Sequence, residues 1–104
     1  HEAWHNPLSL SSGQMKRAAL AAVLAKNPII LLLDEPLANL DRPASDLVIK
    51  ILSALDITTV FATHSRHAVQ SLATRVLVLE SGRVAFDGSV KSRDVKKYYD
   101  EILL

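Results

Sequence analysis

Three side chains in this 104-residue chain combine reactive chemistry with a suggestive position: Asp34, Glu35 and His64. The two acids follow the apolar run Ile29 to Leu33 and precede Pro36, and His64 follows the β-branched and aromatic segment Thr58 to Ala62. Both runs read as strands, so all three residues are expected at C-terminal strand ends, where open parallel sheets bind ligands. A carboxylate leaving such a strand suits Mg²⁺ beside a triphosphate, held directly or through water. Glu35, next in sequence, points elsewhere, which suits polarisation of an attacking water. An imidazole at a separate strand end can contact a γ-phosphate or orient that water. Taken singly, each has a plain reading as well: Asp-Glu-Pro also starts helices, and strand-end histidines also sit on satisfied surfaces.

Leu10-Ser11-Ser12-Gly13-Gln14 stands ahead of an alanine-rich helix. The free N–H groups and dipole of a helix N-terminus favour an anion there, and Gly13 permits close backbone approach. A capping turn explains the same residues. Lys16, Arg17 and Lys26 make a weak basic face that reads as solvated surface, since no aromatic interleaving or nucleic-acid fold signature accompanies it. Trp4, Tyr98 and Tyr99 read as packing residues, and His1 and His5 carry no metal-ligand spacing. A phosphate cradle of the form G-x-x-x-x-G-K-[ST] is missing: the only glycines are Gly13, Gly82 and Gly88, and none precedes a lysine. The 104 residues alone are therefore expected to have little or no ATPase activity.

These groups need a scaffold. At this length one domain is expected, burying about two-thirds of its unfolded surface. With 49% hydrophobic and 22% charged residues the chain is too apolar to be disordered. Without cysteine it has neither disulfides nor thiolate metal sites. A net charge of +1 argues neither for nor against a polyanionic partner. No apolar run, Ile29 to Leu33 included, is nearly long enough to span a bilayer. The opening HEAWHNP has no periodic pattern, so the chain reads as the C-terminal part of something longer.

Along the chain, a helix is expected from about Ser12 to Lys26, with Met15, Ala18, Ala19, Ala22 and Val23 inward, ending at Asn27-Pro28. Ile29 to Leu33 should be a strand buried on both faces. Pro43 fits the first turn of a second helix reaching about Ala54, with Leu47, Val48, Ile51, Leu52 and Leu55 inward. Thr58 to Ala62 is a second strand and Arg66 to Ala73 a short helix. Arg75 to Leu79 and Arg83 to Phe86 form a hairpin through Ser81-Gly82, after which Asp87-Gly88 turns the chain away. Ser92 caps a closing helix in which Val95, Tyr98, Tyr99, Ile102 and Leu103 pack. This alternation predicts an α/β fold, a largely parallel sheet flanked by helices.

In order and separation, these motifs resemble the C-terminal half of the ATP-binding cassette (ABC) ATPase domain, a P-loop NTPase-like fold, over roughly Leu10 to Gly88. Leu10 to Gln14 matches the signature motif, which in that family contacts nucleotide held by the other subunit of a head-to-tail dimer. Ile30 to Asp34 matches Walker B, giving Asp34 the Mg²⁺ role, and Glu35 falls on the catalytic glutamate. Ala38-Asn39-Leu40-Asp41 matches the D-loop, in which Asp41 would link the two subunits' sites, and His64 falls on the switch histidine. Ser12 stands where the family usually has glycine, while Arg42 and Ser65 replace commoner Pro and Asp. None of these departures removes a catalytic group.

The resemblance implies an ATPase subunit on the cytoplasmic face of a membrane, using ATP and Mg²⁺. Its partners would be a second ABC ATPase domain and a transmembrane transporter subunit, with no direct nucleic-acid contact. The compact region after the D-loop resembles transporters of ions, vitamins or small metabolites, of the energy-coupling-factor or haem-exporter type. Alternatives are a soluble ABC ATPase of DNA repair or translation, and a non-catalytic half-cassette that docks another subunit. Without the half that carries Walker A and several core strands, the chain should expose sheet edge and apolar helix face that the family would cover.

Overall fold

Short β-rich runs alternate with helical stretches, and the computed structural model, which describes residues 12–101, follows that alternation. In order it has α1 (Ser12–Leu24), β1 (Ile30–Asp34), α2 (Arg42–Ser53), β2 (Thr58–Ala62), α3 (Arg66–Leu72), β3 (Arg75–Glu80), β4 (Arg83–Ser89), a 3₁₀ turn (Arg93–Val95) and α4 (Lys96–Glu101). The α/β class holds. The described strands pair two by two, β1 with β2 and β3 with β4. The first pair is joined through α2, the crossover that parallel neighbours need. The second is an antiparallel hairpin, so the strand set is mixed rather than largely parallel. The chain divides into two compact units, His1–Phe61 and Ala62–Leu104.

In the first unit the large side chains choose the buried face of α1. Leu20 is buried and Gly13, Lys16 and Leu24 are half-buried, a stripe at helical spacing. The expected stripe through Met15, Ala18, Ala19, Ala22 and Val23 is exposed instead. Exposing an alanine costs little, so leucines set the orientation. In α2, Ser45, Val48 and Leu52 face inward, while Leu47 lies outward. β1 is covered on one face only: Leu31 is 2% exposed, but Ile30 is 55% and Leu32 73% exposed. Val60 of β2 is also exposed. Both-face burial of this strand is thus not met among the described residues, and its outward apolar side chains are exposed.

The second unit is built on the hairpin. Ser81 and Gly82 both have positive φ (50° and 75°), which matches a two-residue turn to the twist of the strands. β4 continues through Asp87 and Gly88, paired with Leu77 and Val76, where a turn was expected. The cause is cross-strand pairing: Arg75 Nε and Nη2 each donate to a carboxylate oxygen of Asp87 at 2.7 Å. Ala68, Val69, Val78, Val95 and Tyr98 form the buried centre. Tyr98 donates to the Ala85 carbonyl at 3.4 Å and lies near the Phe86 ring, centroids 6.3 Å apart. Arg66, at the start of α3, donates to the Tyr99 carbonyl and pairs with Asp100, tying α3 to α4.

Candidate functional site

Local geometry at the end of β1 is where the chain carries its densest chemistry. Strand alternation puts Asp34 on the same outward face as Ile30 and Leu32, and its carboxylate is exposed. The strand stops because the next residue leaves the extended region: Glu35 has φ 47°, in the left-handed region that non-glycine residues seldom adopt. Its carbonyl accepts the Ala38 N–H at 3.2 Å, closing a turn whose Pro36 and Leu37 are buried. Asn39, at φ 63°, makes the second left-handed step, for which its short side chain is suited.

The Glu35 carbonyl has a second donor, the Lys16 ammonium, which arrives from one turn inside α1. A left-handed non-glycine residue costs about 1–2 kcal/mol. A hydrogen bond to a charged donor contributes about 1.5–3 kcal/mol, enough to offset it. Reading Lys16 as solvated surface missed this. Its signal lay in the spacing Gly13, Lys16, Leu20, Leu24, which sets the lysine on the buried stripe rather than beside the alanines. The aliphatic stem helps to line a cavity of about 210 Å³ between α1, β1 and α2, walled mainly by Leu20, Val23, Leu31 and Val48 and bordered by Asp34. Long basic side chains bury their stems in this way while the charged head reaches polar partners.

Asp41 is exposed and caps α2: its Oδ1 accepts the Ala44 N–H at 2.9 Å from an extended backbone, with Pro43 in the first turn. Gly13 and Gln14 lie in the first turn of α1, Gly13 half-buried and Gln14 exposed. Ser12 begins that helix, whereas Leu10 and Ser11 lie outside the described residues. The first unit therefore brings Gly13, Gln14, Asp34, Glu35 and Asp41 into one compact body.

His64 belongs to the second unit and is exposed on a bend after β2. Side-chain bonds hold that bend on both sides: Thr63 Oγ1 accepts the Ser65 N–H at 2.9 Å, and Ser65 Oγ accepts the Ala68 N–H at 3.1 Å to cap α3. Ser65 thus supplies a helix cap in place of the commoner aspartate.

Among the described residues no group of three or more His, Asp or Glu side chains could cage a metal ion. A lone exposed Asp34 nevertheless fits Mg²⁺, which keeps most of its waters and is commonly held by one or two carboxylates plus substrate phosphates. No helix among the described residues is long and apolar enough to cross a membrane.

Comparison with known proteins fits this geometry. A family model described as ABC transporter matches residues 1–38. An energy-coupling factor transporter ATP-binding protein of Halalkalibacterium halodurans is 40% identical over 87 residues, covering 80% of this chain and 31% of that protein. A methionine import ATP-binding protein of Leifsonia xyli is 43% identical over 93 residues, covering 86% of this chain and 27% of that one. The chain thus spans under a third of the length of these curated relatives. Among solved structures, a dimeric ATP-binding cassette in a post-hydrolysis state with ADP and phosphate superposes with a TM-score of 0.74 at 32% identity, over 85% of this chain and 39% of that one. An Atm1-family bacterial exporter with ATP bound gives 0.75 at 33% identity, over 91% and 17%.

Proposed function

We propose that this chain, which belongs to the ABC family and carries part of its ATP-binding domain, serves ATP hydrolysis that powers movement of a small solute or ion across a membrane. The observation that carries the reading is the end of β1: an exposed Asp34 followed by Glu35 in a braced left-handed turn. Two adjacent carboxylates so held leave in different directions, which separates metal binding from water activation.

In this reading Asp34 would help to hold Mg²⁺, which would partly neutralise the negative charge on the γ-phosphate oxygens of bound ATP. Glu35 accepts a hydrogen bond from the attacking water and orients it. His64 contacts the γ-phosphate from the bend after β2. Leu10, Ser11, Ser12, Gly13 and Gln14 close over nucleotide held by a second ABC ATPase domain, and Asp41 links the two sites. The likeness to a dimeric cassette supports that arrangement. The β- and γ-phosphate cradle must come from outside this chain, whose three glycines form no such loop. A transmembrane subunit would receive the work, placing the domain at the cytoplasmic face. The relatives named above differ in what they are named for, methionine import in one and energy coupling in the other, so cargo is assigned to the membrane partner.

The test is steady-state Mg-ATP hydrolysis by the full-length protein carrying Glu35→Gln. Loss of about 10²-fold or more in kcat with ATP still bound is expected from removing a general base. Unchanged turnover would remove Glu35 from the reaction.

A further inference from the structure

We propose that Lys16 is a positioning residue for Glu35, so that the opening turns of α1 and the water-activating carboxylate move as one piece. The inference rests on the reading of Glu35 given above and adds a residue and a coupling to it.

Three observations support it. The Lys16 ammonium donates to the Glu35 backbone carbonyl across 19 positions of sequence, in a partly buried setting. That residue has a positive φ, so its backbone conformation, and with it the direction of its Cα–Cβ bond, is one the chain would leave if released. The carbonyl's other donor, the Ala38 N–H, belongs to the same turn and can travel with it. Lys16 thus ties the turn to another element, α1.

The consequence follows from where Lys16 sits. Gly13 lies three residues before it, on the same helical stripe. Gly13 belongs to the segment read as closing over the second domain's nucleotide, whereas Glu35 serves the nucleotide of its own domain. A shift of α1 on closure is therefore delivered to the Glu35 carbonyl through the Lys16 side chain. Lysine supplies the reach past an apolar cavity that a shorter residue lacks. Because Lys16 meets the Glu35 carbonyl, it acts on the direction of the side chain through the backbone.

The experiment compares Lys16→Met, Lys16→Arg and Glu35→Gln in the full-length protein, reading kcat, KM for Mg-ATP and melting temperature. Lys16→Met should lower kcat about 10-fold or more while KM stays within about 2-fold, since a small misplacement of a catalytic group costs rate rather than binding. Lys16→Arg, which restores a long charged donor, should recover kcat to within about 3-fold of the natural protein. A brace that only stabilises would lower the melting temperature and leave kcat per folded molecule unchanged, and that result overturns the proposal. A fall in kcat that arginine does not recover, or one matched by KM, also overturns it. Should Lys16→Met not fold, Lys16→Gln against Lys16→Arg decides the same point: equal kcat refutes positioning by the charged donor, and a deficit confined to Gln supports it. An active Glu35→Gln protein sinks the reading of Glu35 itself, whereas an inactive one beside a fully active Lys16→Met protein sinks this proposal alone.

Discussion

Replacing Asp41 separates two tasks assigned to one carboxylate. In the structure it caps α2 through a 2.9 Å bond from the Ala44 N–H, and in the proposed function it links the sites of two domains. Asp41→Ala removes the cap, at a cost of about 1 kcal/mol. It also removes negative charge from a helix N-terminus, a further loss of about 0.3–1 kcal/mol. The neighbouring Arg42–Asp46 pair does not compensate, because both side chains are largely exposed (77% and 58%) and such pairs contribute little. Asp41→Asn keeps a capping oxygen and loses only the charge, so about 0.3–1 kcal/mol is expected. At about 2–4 °C per kcal/mol for a chain of 150–250 residues, Ala should lower the melting temperature by several degrees and Asn by about half that or less. The assay pairs thermal unfolding with Mg-ATP turnover of the full-length protein. Asn should remain near the natural melting temperature yet lose turnover, and Ala should lose both. Equal melting shifts for the two variants would refute the capping argument. Natural turnover in the Asn variant would reduce Asp41 to a cap.

Four further outcomes follow from the second unit. Ser81→Asn supplies a residue suited to φ 50° and should stabilise the hairpin by about 0.5 kcal/mol. Gly82→Ala should cost about 1–2 kcal/mol from backbone strain at φ 75°, with no clash added because a Cβ there meets nothing within 4 Å; urea midpoints measure both. The Arg75 guanidinium holds the Asp87 carboxyl below its ordinary range, chiefly through the hydrogen bonds of the fork. Its stabilisation is therefore present above the ordinary carboxylate pKa of about 3.9 and is lost as pH falls through the lower folded value. Melts over an acid series should show that loss, and Asp87→Asn should flatten it. Arg66 donates at 2.9 Å to the Tyr99 carbonyl and at 2.8 Å to Asp100, with its guanidinium 5.5 Å from the Tyr99 ring centroid. Arg66→Lys loses the planar fork, so amide hydrogen exchange should rise in α4 while β3 and β4 stay protected.

What could be read from the sequence depended on whether chemistry or packing was being asked for. Asp34, Glu35 and His64 stand out because their types are unusual where they occur, acids ending a leucine run and a histidine after Thr-Thr-Val-Phe-Ala, whereas Asp41 came only with the resemblance to the D-loop. Local rules also served the hairpin well, since Ser-Gly between two β-rich runs leaves few turn geometries open. Asp87-Gly88 failed by the same rules. Those residues signal a turn only when nothing pairs with them, and Arg75, twelve positions earlier, holds Asp87 in the strand.

Packing was harder to read because two runs carry no contrast. Ile30-Leu31-Leu32-Leu33 has no alternation, so composition cannot say which face is covered; the neighbouring leucines end up 2% and 73% exposed according to whether α1 and α2 stand on their side. In α1 the many alanines suggested the face, yet alanine is nearly indifferent to burial, and the choice fell to Leu20 and Leu24. That rotation is small in residue terms but decides the functional reading. It moves Lys16 from solvent to the Glu35 carbonyl, turning what reads as surface charge into the link between a helix and the carboxylate beside it. A charged residue on a leucine stripe is therefore the signal to seek first in such a helix, since burying an ammonium without a polar partner is costly and the partner it finds is part of the design.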